Sequence, residues 1–363
     1  MIAGAGARRP RLLAAPALAA ALATMAAARS AEPPAMPGPA PSPRRTDTAA
    51  DNARCEGCHR DIAAEWRASM HRAAHTDPVY QRALAIEPLA FCRGCHAPEA
   101  DPARDPPPEL GALGVGCVSC HGGSHDGALA APRQGASPAP HAVIRSAAFA
   151  TAAACARCHE FSFPDAERRL APLLMQSTAT EHRSSLHADA ACARCHMPHV
   201  GEGAARHRSH AFPASRDPAL LRAAVRISAA RLDAGTLEVV LSPAAVGHAF
   251  PTGDLFRRVE VLAEAVGPES QVVAEDRRHL ARRFGRGEGR DGRPIKVLLS
   301  DDRVSPSGAA VVRLTPGPRA AGLPIHYRVA YQRVEHSIDD GSERAVAVID
   351  GEVVLAEGLL PPP

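Results

Sequence analysis

All ten cysteines of this 363-residue chain lie in five copies of one pattern, Cys-x-x-Cys-His. The cysteine pairs are Cys55 and Cys58, Cys92 and Cys95, Cys117 and Cys120, Cys155 and Cys158, and Cys192 and Cys195, followed by His59, His96, His121, His159 and His196. Two thiols three positions apart can form thioethers to the two vinyl groups of one haem, and the next histidine can bind its iron. The pattern therefore predicts five covalently bound haem c groups.

Paired cysteines also have two other common uses. In an exported protein they can form disulfides, and Cys-x-x-Cys pairs can hold zinc. Neither use explains why a histidine follows the second cysteine in all five copies, with no cysteine left over. Haem attachment explains both facts.

The N-terminus predicts export. Arg8, Arg9 and Arg11 precede an apolar stretch over 12–28, and Ala28 and Ser30 form a small-x-small cleavage signal. We expect a signal peptide over 1–30, cut before Ala31, in preference to a membrane anchor. A Pro/Ala/Ser-rich linker is expected over 31–50. Haem is attached to such motifs outside the cytoplasm, so both arguments predict a periplasmic or otherwise extracytoplasmic protein.

The motifs and the chain after them predict two regions of different character. Motif spacings of 37, 25, 38 and 37 residues indicate a loop-rich, mainly helical pentahaem domain over 51–216, with helix-like runs at 62–74 and 166–174. After a further helical run at 217–224, β-favouring segments occur at 225–232, 236–241, 259–266, 309–314, 327–334 and 345–355. An α+β fold is expected, with an antiparallel β-sandwich-like domain over 217–363.

The charge of the chain mainly indicates which kinds of partner it can bind. The formal net charge is +3, and no basic helix or aromatic-interleaved basic patch suggests nucleic-acid binding. Redox proteins are the expected partners, and peripheral membrane association stays open. The basic stretch over 276–293 is interpreted as a solvated loop. The alternative is a docking patch for an acidic redox partner or a counter-charge to haem propionates.

The ligand opposite each proximal histidine decides function. A second strong ligand closes the iron for electron transfer, whereas an open position allows substrate chemistry. Thirteen further histidines are present, and about five of them are expected to be second ligands. Met70, Met175 and Met197 are alternatives, although methionine more often fills cores.

Three sequence contexts point to a known family. They are Ser69-Met70-His71, Ser185-Leu186-His187 and Gly247-His248-Ala249-Phe250-Pro251-Thr252-Gly253. With the segments 55–80, 155–198 and 207–259, they resemble the multihaem cytochromes c that include the tetrahaem cytochromes of nitrification. The resemblance is to the branch whose C-terminal domain carries a Gly-His-x-x-Pro-Thr-Gly turn.

The resemblance implies bis-histidine haems in stacked or T-shaped pairs. By position it assigns His71, His187 and His248 as second ligands, with His210 as a fourth. For the fifth, His141 is favoured over His125, because the chain from Gly122 to His125 is too short to pass easily around the haem at His121. That choice stays open.

The sequence departs from the catalytic members of this family at features that bear on catalysis. All five motifs end in histidine, which excludes a lysine-ligated haem at these motifs, and a structural role is expected for Tyr80. The sequence favours an electron carrier over a catalyst. One alternative is a multihaem oxidoreductase that acts on a small nitrogen or sulfur compound at one open haem. Another is a redox- or ligand-sensing module.

Overall fold

The computed structural model describes Met1 and residues 47–122, 127–133, 139–335 and 347–362, without the side chains at 166 and 204. The predicted signal peptide and nearly all of the predicted linker lie outside the described residues. The first helix begins at Thr48, inside the range assigned to the linker.

Short helices dominate the motif-bearing part of the chain. Polar caps and proline start several of them: Asp77 accepts hydrogen bonds from two backbone amides at the start of α3, and Pro78 occupies its first turn. The helices are α1 (Thr48–Cys58), α2 (Arg60–Arg67), α3 (Pro78–Ile86), α4 (Ala90–His96), α5 (Pro108–Leu113), α6 (Cys117–His121), α7 (Ala153–His159), α8 (Thr178–Arg183), α9 (Ala193–His196) and α10 (Pro218–Ala224).

Six short strands form three two-stranded sheets among these helices. They are β1 (Ala128–Ala130), β2 (Val143–Arg145), β3 (Glu160–Ser162), β4 (Leu174–Ser177), β5 (His199–Val200) and β6 (His207–Arg208). β1 and β2 run parallel, and the other two pairs are antiparallel. Short 3₁₀ turns occur at Ala147–Ala150, Ala166–Arg168, Gly203–Ala205 and Pro318–Ala320.

Longer antiparallel strands make up the C-terminal part. They are β7 (Val225–Arg231), β8 (Leu237–Pro243), β9 (Arg257–Val266), β10 (Val272–Leu280), β11 (Arg282–Glu288), β12 (Pro294–Asp301), β13 (Ala310–Leu314), β14 (Ile325–Val334) and β15 (Ile349–Leu360). The strand orders are β13-β8-β7 in one sheet and β10-β9-β14-β15 in another, and β11 pairs with β12.

The three-stranded and four-stranded sheets share one apolar core. Alternate residues point into it, as the two-residue period of a strand requires. The fully buried members include Leu237, Val239 and Leu241 of β8, Val259, Val261 and Ala263 of β9, and Ile325 and Val329 of β14. The predicted α+β fold, with a helical motif region followed by a β-rich region, is confirmed.

Two predicted helical runs differ from the structure. The run at 62–74 is helical only within Arg60–Arg67, because the Ser69 hydroxyl donates to the carbonyl of Trp66 and competes with the helical backbone bonds. The run at 166–174 is a 3₁₀ turn followed by β4, and Pro172 removes a backbone donor between them.

The basic stretch is not a loop, which corrects the interpretation of 276–293. It contains the end of β10 and all of β11. Glycines inside β11 suggested a loop, but they serve close packing: a Cβ at Gly287 would lie 2.6 Å from the Val297 side chain on β12.

The described chain from Asp47 onward belongs to one compact unit, so the boundary placed between 216 and 217 stays a prediction. Among the helices that the structure describes, none is both long and apolar enough to cross a bilayer.

Candidate functional site

Each Cys-x-x-Cys-His motif lies at the C-terminal end of a short helix. The helices are α1, α4, α6, α7 and α9, and they carry the motifs that we number site 1 to site 5 in chain order. Residues three apart on a helix share one face, so the two thiols of each motif point the same way. The histidine that follows is the last helical residue or, for His59, the C-cap. The motif thus presents two thiols and one imidazole together.

All ten motif cysteines have free thiols, as haem attachment requires. Their exposure is not uniform. Cys58 of site 1 and Cys195 of site 5 are exposed, whereas the other eight are partly buried. A ring attached at these two motifs would itself cover the second thiol, so the exposure of Cys195 does not conflict with attachment. Haem binding by Cys195, as by the other motif cysteines, stays a prediction.

Four of the five motif histidines have a second histidine ring at nearly the same distance. The centroid separations and interplanar angles are 6.3 Å and 66° for His59/His141, 6.2 Å and 68° for His159/His71, 6.2 Å and 36° for His121/His210, and 6.2 Å and 13° for His196/His248.

These separations suit two imidazoles on opposite sides of one metal. A metal–imidazole bond is about 2 Å and the ring centre lies roughly 1 Å behind the nitrogen, so opposed rings should have centroids roughly 6 Å apart. The structure therefore brings His71, His141, His210 and His248, all named from the sequence as ligands, opposite motif histidines.

Backbone carbonyls orient many of these rings through Nδ1. His121 Nδ1 donates to Leu129 O at 2.6 Å, and His196 Nδ1 donates to Pro213 O at 2.9 Å. Among the second histidines, Nδ1 also donates to a backbone carbonyl: His141 to Ala142 O (3.1 Å), His210 to Arg208 O (2.8 Å) and His248 to Ala249 O (3.0 Å). With Nδ1 protonated and held, Nε2 carries the free lone pair that a metal needs.

Burial keeps several of these histidines neutral. It lowers the pKa of His71 to about 3, with smaller effects from His159 and His210. Burial is also the largest cause of the lowered pKa of His121, His159, His210 and His248. Only a neutral imidazole can bind a metal, so this environment favours ligation.

The donor set fits haem c rather than a bare metal ion. Each pair supplies only two ligands, and no group of three or more His, Cys, Asp or Glu side chains suited to a metal occurs among the described residues. An iron at such a pair needs four more ligands in its plane, which a porphyrin provides. The paired thiols beside each motif histidine are placed to hold that ring. Buried polar atoms without protein partners in this region, such as Tyr80 Oη, Arg93 Nε and His75 Nδ1, are consistent with a bound group that carries polar atoms of its own.

Site 2 differs from the other four. His96 donates from Nδ1 to Ala74 O at 2.6 Å, and the Tyr80 ring stacks on it with a centroid distance of 3.8 Å and an interplanar angle of 8°. Within the described ranges no histidine ring faces His96 at the separation found for the other sites. Tyr80 covers the face of the imidazole, whereas a metal would lie in the ring plane.

His187 is exposed and is not paired with a motif histidine among the described residues. It lies beside Gly247, where an added Cβ would be 3.4 Å from His187 Cβ and 3.5 Å from His182 Cδ2. The assignment of His187 as a ligand therefore stays a prediction. His125, the alternative to His141, lies outside the described residues.

Interactions between cysteine side chains show which sites adjoin. Cys55 interacts with Cys117, Cys95 with Cys158, and Cys155 with Cys192. These contacts join site 1 to site 3, site 2 to site 4, and site 4 to site 5. Cys120 of site 3 also acts electrostatically on both cysteines of site 4. Site 4 is therefore the common neighbour of sites 2, 3 and 5.

Asn52 joins sites 1 and 3, and no pattern in the sequence singles it out. Its side chain is fully buried on α1. Oδ1 accepts from the backbone amide of Cys117 at 2.7 Å, and Nδ2 donates to Glu56 Oε1 at 2.7 Å. The side-chain amide of Asn52 therefore fixes the start of α6 against α1.

We expect Asn52→Ala to destabilise the protein by about 2 kcal/mol, because the partly buried backbone amide of Cys117 loses its acceptor. Denaturant unfolding of the haem-loaded protein measures the change. The control Ala53→Ser, at an exposed position of the same helix, should change stability by less than about 0.5 kcal/mol. Equal stability of the two variants would contradict this role for Asn52.

The turn that carries His248 is held by Glu181 of α8. The Glu181 carboxylate accepts from Thr252 Oγ1 at 2.6 Å and from the amide of Ala249 at 3.3 Å. It also forms an ion pair with Arg303 at 2.8 Å, where the two side chains are only 10% and 6% exposed. The Phe250–Pro251 peptide bond within this turn is cis. Like Asn52, Glu181 carries no sequence signal of its role.

Carboxylates offset much of the basic stretch. Arg277 pairs with Glu275, Arg278 pairs with Asp276, and Arg283 pairs with Asp302. The arginines at 286, 290 and 293 are exposed. A docking role for this surface stays a prediction.

Comparisons with known proteins agree with this geometry. Residues 54–122, which contain sites 1 to 3, match the family model described as cytochrome c554 and c-prime. The curated proteins compared give no match. The fold is similar to that of a penta-heme cytochrome c552 from Thermochromatium tepidum, with a TM-score of 0.59 and 18% sequence identity over 84% of this chain and 97% of that one. The structural similarity establishes the fold, and the family match supports a multihaem cytochrome c.

Proposed function

We propose that this chain is an exported pentahaem c-type cytochrome that carries electrons in a respiratory chain, in the periplasm or at the cell surface. The observation that carries the proposal is the set of four opposed histidine pairs at 6.2–6.3 Å, each beside its own pair of thiols. The match of residues 54–122 to a cytochrome family and the similarity to a penta-heme cytochrome support it.

When bound, haem c supplies a one-electron iron couple at each site. The protein would attach the haem and hold its iron. At sites 1, 3, 4 and 5 two thiols would hold the ring and two imidazoles would bind its iron, and backbone carbonyls at Nδ1 would keep several of these imidazoles oriented. An iron held by two imidazoles would have no position for a substrate, which suits electron transfer. The contacts between neighbouring motifs keep the sites close enough to exchange electrons.

The proposed location rests on the N-terminal sequence and on the attachment chemistry, which takes place outside the cytoplasm. We propose other redox proteins as partners. The exposed arginines at 286, 290 and 293 are the surface that would attract an acidic partner.

A second candidate function is favoured by site 2. Because no described histidine faces His96, this iron would be the one with an open position. The chain would then be an oxidoreductase that acts on a small nitrogen or sulfur compound at site 2, with sites 3, 4 and 5 carrying the electrons.

Electron paramagnetic resonance of the oxidised protein tests both candidates. We expect five haems per chain by haem quantitation and low-spin signals from at least sites 1, 3, 4 and 5. Fewer than four low-spin irons would contradict the proposed ligation. A fifth low-spin iron favours a pure carrier. A high-spin iron whose spectrum changes with nitrite, hydroxylamine or carbon monoxide favours the second candidate.

A further inference from the structure

The ring of Phe212 contacts both of the histidines that face sites 3 and 4. Its centroid is 4.2 Å from that of His71 and 5.5 Å from that of His210. The planes cross at 81° and 79°, so both contacts are edge-to-face. A single side chain thus touches the ligands assigned to two different irons.

The backbone at Phe212 is strained. Its φ is +49°, in the left-handed region that non-glycine residues seldom adopt. The next residue is Pro213, and a residue that precedes proline is pushed toward extended conformations. Strain of this kind persists only where the surroundings hold it, and it is often found at functional positions.

Contacts before and after Phe212 hold the segment 208–213 in place. The amide of His210 donates to Glu65 Oε2 at 2.7 Å. Arg208 donates from its guanidinium to the carbonyls of Ala193 and Met197 at 3.1 Å each. After Phe212, the carbonyl of Pro213 accepts from His196 Nδ1 at site 5, so the segment is tied to three sites.

We propose that Phe212 is a positioning residue that fixes the imidazole planes of His71 and His210 together. The proposal rests on the ligation proposed above. It accounts for two different ligand geometries: the rings cross at 68° at site 4 and at 36° at site 3. A phenyl ring in edge-to-face contact with both imidazoles would oppose rotation of either one about its bond to a metal.

The angle between axial imidazole planes sets the shape of a low-spin haem signal. Nearly perpendicular planes give a highly axial signal with a large maximal g value, and nearly parallel planes give a rhombic one. We expect the axial type at sites 1 and 4 and the rhombic type at site 5, with site 3 between them. His71→Ala and His210→Ala assign the signals of sites 4 and 3 by abolishing them.

The test is the spectrum of Phe212→Leu. Leucine keeps an apolar side chain but removes the ring edge, so the g values of both site 3 and site 4 should shift while those of sites 1 and 5 stay at their wild-type positions. Phe212→Tyr, which keeps the ring, should restore both signals. The matched control is Phe149→Leu: among the described residues, the Phe149 ring stacks on His121 and on no other histidine, at 5.4 Å, so only the site 3 signal should shift.

Unchanged g values in Phe212→Leu, with five haems bound, would overturn the proposal. A shift at only one of the two sites would overturn joint positioning. If the leucine variant does not accumulate with five haems, Phe212→Met offers a longer side chain without a ring and carries the same expectations. Failure of the proposed ligation is distinguishable, because His71→Ala and His210→Ala would then leave every low-spin signal in place.

Discussion

His248→Ala is expected to convert one low-spin iron, at site 5, into a high-spin iron. The His248 ring lies 6.2 Å from that of His196 with the planes 13° apart, and burial keeps it neutral by lowering its pKa. Alanine supplies no donor, and an iron that loses one strong axial nitrogen has a weaker ligand field. The oxidised variant should show one low-spin signal fewer and one high-spin signal more.

The effect should stay confined to site 5, because the turn does not depend on His248 for its shape. Glu181 holds the turn through the amide of Ala249 and the hydroxyl of Thr252, and Arg303 holds Glu181. A buried, fully hydrogen-bonded carboxylate of this kind is costly to move. The other four sites should therefore keep their wild-type spectra.

Two neighbouring histidines provide controls. His182 is buried beside the same turn but faces no motif histidine among the described residues, so His182→Ala should leave the spin states unchanged. His187→Ala tests the remaining sequence-based assignment: a new high-spin iron would identify the site that His187 serves. If His248→Ala keeps every iron low-spin, the pairing of His248 with site 5 is wrong.

The sequence predicted the parts of this molecule that follow from local chemistry. The five motifs define the attachment sites through spacing alone. The β-favouring segments at 225–232 and 236–241 correspond to β7 and β8, because alternation of more and less buried residues along a strand is a local property. Strands β10, β11 and β12 were missed: charged residues interrupt the pattern in β10, and arginines and glycines interrupt it in β11.

The sequence could not predict which second histidine lies opposite which motif histidine, because this depends on how distant segments fold together. His71 follows the motif of site 1 closely in sequence, yet it faces His159 of site 4. Phe212 and Glu181 are ordinary residues in the sequence and acquire roles only through contacts across the fold. The sequence around a histidine could therefore identify it as a candidate ligand, but it could not show which iron that histidine would bind.

Loss of site 4 should divide the remaining sites into three groups that no longer exchange electrons rapidly: sites 1 and 3 together, site 2, and site 5. The double variant Cys155→Ser/Cys158→Ser removes both thioether positions of this site. Site 4 is the common neighbour of sites 2, 3 and 5 through cysteine contacts and electrostatics. Because electron tunnelling falls exponentially with distance, a gap at this position should slow exchange among these three groups by orders of magnitude.

Freeze-quench paramagnetic resonance with less than one reducing equivalent per haem measures this exchange, at protein concentrations where transfer between molecules is slow. In the wild-type protein the earliest spectrum should equal the aged one, because electrons redistribute among all sites at once. In the site 4 variant the two spectra should differ.

The matched control is Cys55→Ser/Cys58→Ser, which removes site 1. The cysteine contact of site 1 is with site 3, so its loss separates no other sites from one another. Its early and aged spectra should agree, and equal spectra in the site 4 variant would show that electrons bypass site 4.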